Sequence, residues 1–161
     1  MNAKDDHGNT ALMITCSTLI YEFASHSELP TISVRILREL LKHKDVDVNC
    51  QDNAGRPPLY RACAIDLSLI RELLQHKEVQ MNIGDRFGHT PLIMACADGY
   101  VDVVDELLKH KLVDVNAQDN DGRTPLIMAY SGGHGCRPKS VFCIVCLLLK
   151  HKEVDVNATY N

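Results

Sequence analysis

Three sets of side chains in this sequence have the types that bind metals or act as nucleophiles. Histidine recurs at His43, His76, His110 and His151, each followed by lysine, as in "KHK" and "QHK". A zinc site needs several such ligands within about 2 Å of one ion. One histidine per 33 to 41 residues gives a column of separated side chains, not a converging set. A histidine at a helix end, favourable to the dipole when protonated, is the simpler reading. The second set is "HGCRPKSVFCIVC", with His134, Cys136, Cys143 and Cys146. These are zinc-type ligands, but their spacing is not that of paired CxxC motifs. Cys143 and Cys146 fall in "VFCIVCLLL", the most apolar run of the chain, one helical turn apart. There cysteine packs as a small hydrophobe, so the expectation is a core position with no metal and no cofactor. A redox role for the same CxxC lacks the βαβ context it needs. The third set is Cys16, Cys63 and Cys96, each directly after "LMIT", "LYRA" and "LIMA". The shared register predicts a row of core thiols, too far apart for the ~4.4–6.8 Å Cα separation of a disulfide. No nucleophile stands with a base, and "SGGHG" lacks the order of a phosphate loop. No catalytic residue is expected, and the chain reads as no enzyme.

Bulk properties narrow the partners. The chain has 161 residues, 45% of them hydrophobic, enough for one domain with a core. Its net charge of −4 and 5% aromatic content, with no Trp, argue against nucleic acid as partner. No apolar run reaches the length of a membrane span, and "MNAKDDHGNT" lacks the features of a secretion signal. Seven irregularly spaced cysteines favour reduced thiols and an intracellular, cytoplasmic setting.

The elements that must carry these side chains are written in a repeat. "KHKDVDVNCQDNAGRPPLYRA", "QHKEVQMNIGDRFGHTPLIMA" and "KHKLVDVNAQDNDGRTPLIMA" are near-copies, and "KHKEVDVNATYN" starts another. Asn49, Asn82 and Asn116 are 33 and 34 residues apart, and Leu59, Leu92 and Leu126 keep the same spacing. In each unit Thr90 or Thr124 can cap a helix, with Pro91 or Pro125 at its first position. A short helix follows, "PLIMACAD" in the third copy, where Gly99 suits a left-handed cap. A second helix shows Val101, Val104, Leu107 and Leu108 on one face. It ends at "KHK", where cations favour the dipole. Then come a short extended "VDVN" and a turn rich in Asn, Asp and Gly, "QDNDG". One such unit cannot bury its apolar face alone, but stacked copies can.

This period and order, with "GHTPLIMACADGYVDVVDELLKH" and "VDVNAQDNDGRTPL", resemble the ankyrin repeats. The resemblance covers essentially the whole chain. It implies an all-α repeat solenoid of stacked helix–turn–helix units with projecting β-hairpin-like fingers. The chain then reads as a single ankyrin-repeat domain over 1–161, with approximate repeats 2–48, 49–81, 82–115 and 116–156, and a further finger starting at 157–161. The family's usual "TPLH" histidine is replaced by Met13, Tyr60, Ile93 and Ile127. Pro57 stands in place of the capping Thr, and Arg61 occupies a usually apolar place on the inner helix. "STLIYEFASHSELPTISV" and "YSGGHGCRPKSV" are insertions between the helices of the first and last copies. The first should lengthen its helix through "LIYEF", with Pro30 near a new helix start. Both ends of the chain lie inside fingers without a polar capping repeat, which suggests an array cut from a longer protein.

By this resemblance the chain is a protein–protein interaction scaffold, binding a partner protein on the concave surface of fingers and first helices. It is expected to be monomeric in isolation, with no nucleic acid or membrane partner. An ankyrin-type inhibitor or regulator of a partner enzyme is the alternative, and a zinc-stabilised module a third. The positions left free by the repeat pattern are the candidates for contact: Phe87 first, an aromatic at a turn tip, then Arg86, His89, Arg56, Arg123, Asn53, Asn120 and Asp121. Aromatic and Arg residues are common anchors at interfaces. The resemblance also points to hydroxylation of finger asparagines by the hydroxylase that acts on ankyrin repeats, at Asn49, Asn116 and Asn157. A purely structural role in bracing the finger is the competing reading for all three.

Overall fold

A computed structural model describes residues 2–17, 29–131 and 137–159. Among them the chain forms eight helices in pairs: α1 (Ala11–Thr15) and α2 (Leu29–Leu41), α3 (Pro58–Cys63) and α4 (Leu67–Leu74), α5 (Pro91–Asp98) and α6 (Val101–Leu108), α7 (Pro125–Ser131) and α8 (Pro138–Lys150). Each expected repeat contributes one pair. The pairs fall into two compact units, Met1–Gln80 and Met81–Asn161.

Helix starts follow the caps. Thr10 and Thr90 accept hydrogen bonds from the backbone N–H of Met13 and Ile93, and Thr124 from that of Ile127. These bonds satisfy donors that the first turn leaves unpaired. Pro57 caps α3 without a side-chain hydrogen bond, and Asp66 instead caps α4 through Ser68 N–H. Gly99 ends α5 at φ 77°, as its residue type predicts.

The first unit packs α1 on α2 and α3, with α4 against α2 and α3. Leu12, Met13, Leu37, Leu59, Leu69, Ile70 and Leu73 are sealed in its core. The second repeats the arrangement, α5 on α6 and α7, with α8 against α6 and α7. Its core holds Leu92, Ile93, Val104, Leu107, Ile144 and Leu148. Each fully buried aliphatic contributes roughly 1.5–3 kcal/mol of transfer free energy. Two of the positions where histidine is usual, Met13 and Ile93, are fully buried, so apolar packing replaces that bracing.

Four local expectations change. On α6 the buried face is Val103, Val104 and Leu107, while Val101 and Leu108 are only half-buried. On α8 the core stripe runs through Ile144 and Leu148, which leaves Cys143 and Cys146 half-buried at its flanks. α1 stops at Thr15, and a turn follows at Cys16 and Ser17. The Thr15 hydroxyl donates to Ala11 O at 2.9 Å and that of Ser17 to Met13 O at 2.7 Å, taking carbonyls that a longer helix would use or crowd. "LIYEF" itself lies outside the described residues, and Pro30 falls in the first turn of α2 as expected. Finally, "VDVN" forms no strand: Val48 and Asn49 turn, with Asn49 N–H donating to the Asp47 carboxylate at 2.9 Å.

That turn gives the finger asparagine a structural task. Asn2 Nδ2 donates to Asp45 O, and Asn49 Nδ2 to Glu78 O at 2.6 Å. Their Oδ1 atoms accept from Asp47 N–H and Gln80 N–H. In the second unit Asn82 joins Leu112 O and Asp114 N–H, and Asn116 joins Glu153 O and Asp155 N–H. One amide thus ties the start of each repeat to the loop that closes the same repeat.

Candidate functional site

The finger tips are built by aspartate. Asp85 Oδ1 accepts from Phe87 N–H and His89 N–H at 2.9 and 3.0 Å. Asp119 Oδ1 does the same for Asp121 and Arg123, and Asp52 for Ala54 and Arg56. A carboxylate that accepts two backbone N–H groups fixes a tight turn. Within the second unit, Asn120 N–H donates to Phe87 O at 2.9 Å and Asn120 Nδ2 to Arg86 O at 3.0 Å. Asn53 makes the equivalent bonds to His7 O and Asp6 O in the first unit. Both asparagines, expected as partner contacts, spend their amides on joining fingers. Close approach is required: at Gly88 an added Cβ would lie 2.8 Å from Asn120 Oδ1.

The structure brings together one cluster of expected residues in the second unit. Phe87 is 58% exposed at the tip. The Arg86 guanidinium carbon lies 5.8 Å from its ring centroid, and the His89 ring centroid 5.9 Å away. His89 sits between carboxylates, Nδ1 3.7 Å from Asp85 and Nε2 3.5 Å from Asp119. Arg123 is drawn back onto Asp119 at 2.8 Å and Asp121 at 2.7 Å. Asp119 has its pKa lowered: burial opposes this, but the backbone and side chain of Arg123 outweigh it.

Arg56, the counterpart in the first unit, is likewise tied to Asp52, at 2.9 Å. A residue outside the expected set shares this carboxylate. The Arg61 guanidinium reaches Asp52, Asn9 Oδ1 at 2.6 Å and Ser17 Oγ at 3.2 Å. Burial would raise the Asp52 pKa, yet hydrogen bonds from Arg61 and from the Arg56 and Ala54 backbone bring it down to about 2. The sequence signal for Arg61 was its replacement of an apolar residue in "LYRA". Of the zinc-type set, His134 and Cys136 lie outside the described residues. Among the described residues no three metal-ligating side chains converge. Asn49 and Asn116 hold the bracing bonds above; Asn157 is exposed, its N–H on Asp155.

A family model described as ankyrin repeats (3 copies) matches residues 24–119 and 64–160. The chain belongs to the ankyrin repeat family. The crystal structure of an ankyrin repeat domain from Acinetobacter baumannii AYE is similar over 99% of this chain and 72% of that one, at 28% identity and a TM-score of 0.78. No curated protein matches the chain. Ankyrin repeats generally mediate protein–protein interaction and are generally non-enzymatic scaffolds. The all-α repeat solenoid agrees with this membership, and among the described residues no helix is long and apolar enough to cross a membrane.

Proposed function

We propose that this ankyrin-repeat chain is an interaction scaffold whose second unit docks a partner protein on its finger tips, with Phe87 as the anchor. The supporting observation is the exposure of Phe87. A phenylalanine that leaves more than half its surface in water contributes little to its own fold. It is presented on a turn fixed by Asp85 and overlaid by Arg86. Rigid aromatic surface beside a guanidinium is a composition common at interface centres. Arg86 is exposed at the tip beside the Phe87 ring, whereas Arg123 and His89 stand against carboxylates. They shape the rim and its charge, which governs association rate and salt dependence more than affinity.

A photo-crosslinking residue at position 87, used in cells of the source organism, identifies the partner, and binding is then measured with purified proteins. Phe87→Ala should weaken that binding by ~2 kcal/mol or more. Lys150→Ala, at the end of α8, should leave it unchanged. If Phe87→Ala binds like the parent while a change in "SGGHGCRPK" abolishes binding, the docking face lies on the insertion instead.

A further inference from the structure

We propose that the first unit carries a recognition site for an acidic side chain, Asp or Glu, of a partner protein, in a cavity floored by Arg61. The proposal rests on the protein-binding reading but uses a different surface. The cavity measures about 170 Å³ and is lined by Ser17, Arg56, Tyr60, Arg61, Ala64 and Ile65. Small-molecule sites span roughly 300–1,000 Å³; this one matches the tip of one side chain.

Its charge is unbalanced. Two guanidiniums, Arg56 and Arg61, face a single carboxylate, Asp52. That carboxylate has no capacity left: Oδ1 accepts two backbone N–H groups and Oδ2 both arginines. Its side chain is 1% exposed, behind the arginines, and among the described residues no acidic one lines the cavity. One positive charge is left over. Arg61 also holds an unmet donor, since its Nε is buried without a hydrogen-bond partner. A buried unpaired donor costs roughly 1–3 kcal/mol. Both Nη2 hydrogens of Arg61 already donate to Asn9 and Asp52, so an arriving carboxylate would meet the second hydrogen of Arg61 Nη1 and the guanidinium of Arg56, which holds Asp52 through its Nε.

The other repeats indicate that Arg61 is not needed to build a finger. Its equivalents are Ile14, Met94 and Met128. Asp119 forms the same turn with Arg123 as its arginine partner, beside a Met at the Arg61 position. Arg61 is therefore an addition to a finger that already closes, and what it adds is a cation on a cavity wall.

The test is a nitrogen-15 NMR titration of the full chain, observing the arginine side-chain N–H groups and the Ala64 amide. N-acetyl-glutamic acid α-amide should produce saturable shifts at Arg61 Nε–H. N-acetyl-glutamine amide, of the same shape without charge, should bind at least about tenfold more weakly. Arg61→Met, which installs the residue of the later copies, should abolish the shifts. Ala64→Phe, which fills the cavity and keeps both arginines, should do so too, and it decides the matter if Arg61→Met fails to fold. The proposal is overturned by no saturable shift, by equal binding of the glutamine amide, by inorganic phosphate binding as tightly, or by shifts that persist in Ala64→Phe. Partner capture that still depends on Phe87 in that event leaves the docking proposal standing and removes this site alone.

Discussion

Thiol reactivity in this chain is decided residue by residue through burial. Cys16, Cys63 and Cys96 lie in the cores, at most 3% exposed. Burial pushes the Cys16 thiol up to about 12 against a partial pull from Arg61, and it raises Cys63 and Cys96 as well. The thiolate is the reacting species, so these three should resist alkylation in the native protein. Cys143 and Cys146 are half-buried and open to reagent. Brief iodoacetamide treatment followed by peptide mass mapping should therefore label Cys143 and Cys146 well before Cys16, Cys63 or Cys96; labelling of the three core thiols first would contradict their burial. The core row was legible in the sequence because three cysteines share one register. The flank position of Cys143 and Cys146 was not: "VFCIVCLLL" is apolar on every side, so periodicity could not say which stripe faces inward. The finger-joining bonds of Asn53 and Asn120 were hidden for a related reason, since a polar side chain at a turn tip looks free until the adjacent finger is in place.

At the scale of the element, the finger is held by contact between neighbours as much as by its own turn. Gly88 has φ 79°, and an added Cβ there would also meet Asn120 N at 2.9 Å and Asp119 Cα at 3.0 Å. Gly88→Ala combines a left-handed backbone with a collision against a bonded neighbour, and should cost about 1–3 kcal/mol. Urea denaturation checks this; a loss below about 0.5 kcal/mol would show that the fingers are not locked together. Helix caps and turn residues announced most elements directly. What the sequence did not announce was lengths: α2 and α8 run 13 residues against 8 for α4 and α6, because inserted residues join the second helix of the pair. In the first copy, hydroxyls of Thr15 and Ser17 bond back to α1 where it ends.

For the molecule as a whole, the 33-residue period was the strongest signal, because a repeat fold writes each core contact several times. The charge network was the weakest, because Asp52 and Arg61 are distant neither in number nor in chemistry from many unpaired surface groups. That network sets the response to acid. Asp52, at about 2, and Asp119 titrate below their ordinary 3.8, held down by arginine and backbone donors. A carboxylate whose folded pKa is lowered contributes stability that is fully present above its unfolded value and lost as pH falls through the folded one. Asp98 has the opposite sign: burial raises its pKa against a smaller effect of His89, so protonating it on folding relieves rather than costs. The urea midpoint should accordingly change little from about pH 7 to 5 and fall between about pH 4 and 2. Asp52→Asn should flatten that fall, since the group that titrates is gone, at the expense of a lower midpoint at neutral pH. A midpoint that holds constant down to about pH 2, or an identical acid slope in Asp52→Asn, would mean that the finger carboxylates do not carry the acid response.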